Sequence, residues 1–159
     1  MIGYLSLIYF FKYKTFIFVV TSVIFFSLPN FAVFKSVNLK DDSGWIDLTT
    51  INLKQLISQN DIVFVDITAD WCATCQFNKI NVLQKKSIQD LFVKNNVVMV
   101  RGDWTKPNSA IDSFLQQYQR FGIPLNVVYS KNNPQEIILS ELLSEKEILK
   151  AFNTLLLNE

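Results

Sequence analysis

Several segments of the chain carry a hydrophobic period of their own. From residue 15 to residue 34 it reads TFIFVVTSVIFFSLPNFAVF, 20 positions without a charge. As a helix rising about 1.5 Å per residue, this run reaches about 30 Å, enough to cross a bilayer's hydrocarbon core. Residues 62–69 (IVFVDITA) and 97–103 (VVMVRGD) are short, β-rich and nearly all apolar. That is the pattern of strands buried on both faces. Residues 51–58 put Leu53, Leu56 and Ile57 on one helical face; residues 109–120 put Ile111, Phe114, Leu115 and Tyr118 at i, i+3, i+4 and i+7.

The remaining segments complete the pattern. Residues 45–49 read as a short strand, 72–86 as a helix and 87–94 as a further helical turn or two. Two strands, 126–130 and 136–140, flank Lys131-Asn132-Asn133-Pro134, a strong turn signal. Ser144 opens the last helix with Glu147 three residues on, a capping box, and Ile148, Phe152 and Leu155 form its apolar face. The order is β-α-β-α-β-α-β-β-α. It predicts an α/β fold with a central mixed sheet: crossovers pair the early strands in parallel, a hairpin makes an antiparallel edge, and helices cover both sides. The polar break Lys40-Asp41-Asp42-Ser43-Gly44 divides an N-terminal segment, 1–40, from a domain of ordinary size, 41–159.

Charge gives the N-terminal segment a direction. Lys12 and Lys14 precede the apolar run, and Lys35, Lys40, Asp41 and Asp42 follow it. Lysines at the leading end favour keeping that end in the cytoplasm. The favoured reading is a single-pass transmembrane helix through residues 15–34, with the domain on the periplasmic side of an inner (cytoplasmic) membrane. A cleaved signal peptide is the second reading, although Asn30 and Ala32 satisfy the small-x-small rule only halfway. A buried core helix is the third. Pro29 marks a stop or kink near the end of the run.

Composition narrows the chemistry. The 15 basic and 14 acidic residues leave a net charge of +1, with no cationic run to track a phosphate backbone, so a nucleic-acid partner is not expected. Histidine is absent, which removes Ser-His-Asp and Cys-His catalysis and the commonest ligand for zinc, copper and haem. The two cysteines, Cys72 and Cys75, stand three apart. A bridge between them closes too small a loop to staple a fold. Protein-only zinc binding would need more ligands, and haem attachment would need a histidine where Gln76 stands.

The position of the pair explains it better. Cys-x-x-Cys falls where a buried strand ends and a helix begins, in Val63-Phe64-Val65-Asp66-Ile67-Thr68-Ala69-Asp70-Trp71-Cys72-Ala73-Thr74-Cys75. Unpaired N–H groups at a helix start stabilise a thiolate, the nucleophile of disulfide exchange. A second cysteine one turn along can attack the mixed disulfide and release the substrate. Cys72 is therefore assigned as the nucleophile and Cys75 as the resolving thiol of a redox-active disulfide, and no cofactor is required.

With Asp66 six residues before Cys72 and Trp71 directly before it, this run resembles the active site of the thioredoxin superfamily. The form ADWCxxC, followed by Val100-Arg101-Gly102-Asp103-Trp104-Thr105 and Gly122-Ile123-Pro124-Leu125, is most similar to the C-terminal thioredoxin domain of DsbD-type thiol:disulfide interchange reductases. The resemblance spans about residues 45–155 and implies a thioredoxin-like fold. It implies a cis Pro124 in a loop opposite the cysteines, with the Ile123 backbone pairing with substrate; an Ile–Pro bond, before an apolar strand, suits a cis peptide. It implies that Asp66 is the buried acid that accepts the proton of Cys75, and that Trp71 shields the site or contacts partners. A carboxylate in an apolar strand is costly and tends towards a raised pKa, which agrees with that role. No role is assigned to Arg101 or Trp104.

Two departures stand out. The dipeptide between the cysteines is Ala73-Thr74, and Lys79 stands where the DsbD-type domains carry an acid. The multi-helix electron-carrying domain of those reductases is not in this sequence, so a separate membrane thiol donor would have to supply electrons. The expected function is a protein-disulfide reductase acting on extracytoplasmic client proteins. An oxidase or isomerase on the same fold, or a non-catalytic binding module, are the alternatives.

Overall fold

All seven residues of strand β2 (Ile62–Thr68) are buried, and the rest of the domain is arranged around it. The computed structural model describes residues 44–156. Strands β1 (Trp45–Asp47), β3 (Val98–Asp103), β4 (Leu125–Ser130) and β5 (Asn133–Ile138) complete a five-stranded sheet in the order β1-β3-β2-β4-β5. β1, β3 and β2 run parallel, while β4 lies antiparallel to β2 and β5 antiparallel to β4. The expected mixed sheet with an antiparallel edge is the one observed.

Alternation along β2 divides the core in two. Ile62 and Phe64 face one layer with Val82, Leu83, Ile88, Phe92, Ile148 and Phe152. These come from helix α3 (Lys86–Lys94), the turn before it, and helix α5 (Glu145–Leu156). Val63, Val65 and Ile67 face the other layer, built from Ile111, Phe114 and Leu115 of helix α4 (Ser109–Gln117), with the partly buried Leu53, Leu56 and Ile57 of helix α1 (Leu53–Gln59). By the same alternation Asp66 and Thr68 project to the side of Phe64. Gly102 lies across from Ile67, where a Cβ would come within 2.7 Å of the isoleucine Cδ1, so a larger residue would force the Ile67 side chain to shift.

Several elements depart from the expected boundaries for local reasons. β1 ends at Asp47 because its carboxylate accepts from the Thr49 N–H at 2.8 Å and starts a 3₁₀ turn, Leu48–Thr50. The helix expected over residues 72–86 is helix α2 (Ala73–Asn78) followed by a π turn, Lys79–Leu83. That wider turn carries the adjacent residues Val82 and Leu83 into the core together, and the extended Lys85 then separates it from α3. The last expected strand, 136–140, is displaced: β5 begins at Asn133, directly paired with Ser130, so the reversal uses only Lys131 and Asn132. Pro134 is tolerated because β5 is an edge strand. The capping box forms by half. The Glu147 N–H donates to Ser144 Oγ at 3.3 Å, but the Glu147 carboxylate accepts from the Ser140 N–H and hydroxyl.

The expected membrane span at 15–34 and the boundary near residue 40 lie outside the described residues. Among the described residues, no helix is long and apolar enough to cross a membrane.

Phe92 joins the α3 layer to the sheet, with ring centroids 5.1 Å from Phe64 and 5.5 Å from Phe152. Phe92→Ala should cost about 3–5 kcal/mol, since the lost transfer energy and the cavity act together. Urea unfolding of the two proteins measures it, and a loss below about 1 kcal/mol would mean that the layer closes over the gap.

Candidate functional site

The chain leaves β2 through Ala69, makes a short loop and enters α2 with Cys72 at the N-cap. Cys72 has extended backbone angles, φ −85° and ψ 104°, so its side chain turns back over the first turn. There the Cys75 N–H donates to Cys72 Sγ at 3.2 Å. Sulfur thus takes the place that a serine or aspartate oxygen holds at an ordinary N-cap. The two cysteines form a disulfide across a Cα–Cα distance of 5.2 Å, and they are 7% and 2% exposed.

Neighbouring loops hold this turn in place. Thr105 Oγ1 accepts from the Asp70 N–H at 2.9 Å, and the Trp104 N–H donates to the Thr68 carbonyl at 2.7 Å. Trp104 in turn donates its ring N–H to Asp112 of α4 at 2.9 Å. On the helix side, buried Asn78 donates to the Glu141 carbonyl at 2.8 Å and accepts from the Leu143 N–H at 3.0 Å, which ties α2 to the segment after β5. Opposite the cysteines, the Ile123–Pro124 bond is cis, and the Ile123 carbonyl oxygen lies 3.9 Å from Cys72 Sγ. Ala69, Cys72, Cys75 and Ile123 form one small apolar cluster.

Asp66 sits in the middle of β2, 3% exposed, with Arg101 beside it on β3 and Asn126 on β4. Oδ1 accepts from Asn126 Nδ2 at 2.9 Å; Oδ2 lies 3.4 Å from Arg101 Nε. The Arg101 guanidinium also stacks over the Trp45 ring at 3.9 Å. Burial pushes the Asp66 carboxyl above its ordinary value of 3.8, against the opposing pull of Arg101, Lys79 and the Asn126 hydrogen bond. Desolvation wins because the carboxyl is cut off from water and its ion pair is long.

A thioredoxin-like family model matches residues 51–131, just over half of the chain. The chain belongs to the thioredoxin-like family. Its fold is similar to that of the C-terminal domain of Neisseria meningitidis DsbD. With the reduced form the TM-score is 0.55 at 17% identity, covering 69% of this chain and 98% of that one. With the oxidised form it is 0.53 at 17% identity, covering 64% and 91%. A thioredoxin from Thermus thermophilus gives 0.51 at 18% identity, covering 70% and 85%. No curated protein matches the sequence. A thioredoxin-like fold presenting a Cys-x-x-Cys pair supports thiol–disulfide exchange as the chemistry of this domain.

The structure of this thioredoxin-like domain brings Cys72, Cys75, Ile123 and Pro124 together and places Asp66 on the sheet face below, in the same strand that leads to Cys72. Trp71 is 63% exposed beside the disulfide, its ring 6.1 Å from that of Trp104. Three neighbours were missed in the sequence. Phe121, three residues before Pro124, is 89% exposed. Asn78 looks like an ordinary helical polar residue until its tertiary partners are seen. Asn126 left a signal, a second polar residue inside an apolar strand (LNVVYS), which belongs opposite a buried polar partner.

The raised pKa of Asp66 makes stability depend on pH. A carboxyl that holds its proton more tightly when folded contributes stability that is complete below its unfolded value. This contribution is lost as pH rises through the raised folded value. In urea unfolding of the oxidised protein, the wild type should therefore lose stability relative to Asp66→Asn across that window. A constant difference between the two would mean that Asp66 binds its proton equally in both states.

Proposed function

We propose that this protein is a protein-disulfide reductase of the extracytoplasmic side of the membrane, anchored through residues 15–34 and acting on client proteins that carry disulfides. The observation that carries the reading is the sulfur of Cys72 held at the N-cap by the Cys75 N–H, against the cis Ile123–Pro124 loop. The same N–H that now meets the disulfide sulfur favours the negative charge of the reduced Cys72, so Cys72 is the thiol that attacks.

In the proposed cycle the Cys72 thiolate forms a bond to one client sulfur, and the other client sulfur leaves as a thiolate. Cys75 then gives its proton to Asp66 and attacks Cys72 Sγ. The mixed disulfide breaks, the second client thiolate leaves, and the two electrons of the dithiol have passed to the client. The Cys72–Cys75 disulfide seen here is the end state of that cycle. A membrane thiol donor would return it to the dithiol. Ile123 is suited to pair with an extended client segment, while Trp71, next to Cys72 in the chain, and Phe121, three residues before Pro124, offer exposed apolar surface.

Cys75→Ser should accumulate mixed disulfides between Cys72 and clients, visible as adducts that reducing agent removes. Adducts that instead persist on Cys75 in Cys72→Ser would reverse the assignment. Asp66→Asn should slow turnover at neutral pH, and an unchanged rate would leave Asp66 a structural residue. Equilibration with glutathione settles the direction: a potential near about −270 mV supports a reductase, and one near about −120 mV an oxidant.

A further inference from the structure

Asn126 is 1% exposed, directly across from Asp66 in the β2–β4 pairing, and two residues beyond Pro124 in the chain. Its strand neighbours Leu125, Val127 and Val128 are buried and apolar, so packing alone would accept a leucine or valine at this position. The amide is only half used: Nδ2 donates to Asp66 Oδ1, while its own Oδ1 is buried and accepts no hydrogen bond. Leaving a polar atom unsatisfied costs stability, so the bond to Asp66 is what explains the residue. The two oxygens of the carboxylate are thereby made unlike. Oδ1 takes a short bond from Asn126, whereas Oδ2 faces Arg101 Nε across 3.4 Å.

Building on the reading of Asp66 as the proton acceptor of Cys75, we propose that Asn126 is a positioning residue that holds the Asp66 carboxylate through Oδ1 while it takes that proton. When Cys75 attacks, its S–H proton passes to the Asp66 carboxylate and its sulfur electron pair forms the bond to Cys72 Sγ. The bond between Cys72 and the client sulfur breaks, and the client leaves as a thiolate. A donor on one oxygen favours the ionised form, so Asn126 keeps a deeply buried carboxyl ready to accept. The charged groups that act on Asp66 in the same sense are Arg101 from β3 and Lys79 from the turn after α2. Asn126 differs from both in being uncharged and acting through a 2.9 Å bond to Oδ1.

The test uses the oxidised full-length protein in detergent, with the protonated-carboxyl infrared band assigned to Asp66 by its loss in Asp66→Asn. Asn126→Leu and the smaller Asn126→Ala should each raise the midpoint of that band by about one pH unit or more. In the reduced proteins, the pH profile for resolving a mixed disulfide on Cys72 should move by the same amount, and in an Asp66→Asn background neither substitution should move it. In the unsubstituted protein, the side-chain amide resonance of Asn126 should titrate with the Asp66 midpoint, a measurement that needs no variant to fold. An unmoved midpoint in folded variants, or an amide resonance that ignores the titration, overturns the proposal. A moved midpoint with an unmoved resolution profile overturns the link from Asn126 to the resolving step. That outcome also counts against the acid role of Asp66, which the turnover of Asp66→Asn tests separately.

Discussion

A carboxyl buried in the central strand constrains what its neighbours can be. Removing an isolated charge from water costs many kcal/mol, so Asp66 persists inside the sheet only with partners or with a proton. The structure supplies both responses. Arg101 and Asn126 stand on the two adjacent strands at the same level, and burial still pushes the carboxyl upward. The row Arg101–Asp66–Asn126 crosses three strands on the face that also carries Phe64, Val128 and Met99. The surface pair Lys86–Asp90, by comparison, is exposed on both sides and worth at most about 1 kcal/mol.

The strands that carry this row also carry the elements around the disulfide. β2 continues through Ala69 into the Cys72 cap, β3 continues into Trp104 and Thr105, which brace the loop before Cys72, and β4 begins directly after the cis Pro124. A shift in any of these strands would disturb the buried carboxyl and the cysteine loop together. The sheet is thus a rigid base, as a site requires when its reacting atoms must be held within a fraction of an ångström.

Much of this was readable before any coordinates. Central strands announce themselves by continuous apolar runs, and 62–69 and 97–103 were found within a residue or two. The Cys-x-x-Cys at the strand–helix junction needed only its spacing and the change of period. What stayed hidden depends on partners distant in sequence. Nothing near Asn78 shows that it fastens α2 to Glu141 and Leu143, more than 60 residues on. The π turn after α2 follows from the need to bury Val82 and Leu83 side by side, which a local helical pattern does not express. The hairpin was misplaced because Asn133 and Pro134 are turn formers by composition. At an edge strand, with no central ladder to interrupt, they serve as strand residues instead.

Asn126 shows how such hidden information could be recovered. Within LNVVYS it points, like Ser130, to the layer of Phe64, and within IVFVDIT Asp66 is its counterpart. Each alone violates the apolar pattern of a buried strand. Taken together they imply that the strands are neighbours, and the observed register gives the buried carboxyl its amide partner. A one-residue slip would turn Asn126 to the opposite face and leave both groups buried without each other. The polar pair that the proposed chemistry uses therefore also specifies how β4 docks on β2. That docking sets the place of Pro124, which directly precedes β4, and with it the distance between the Ile123 carbonyl and the sulfur of Cys72.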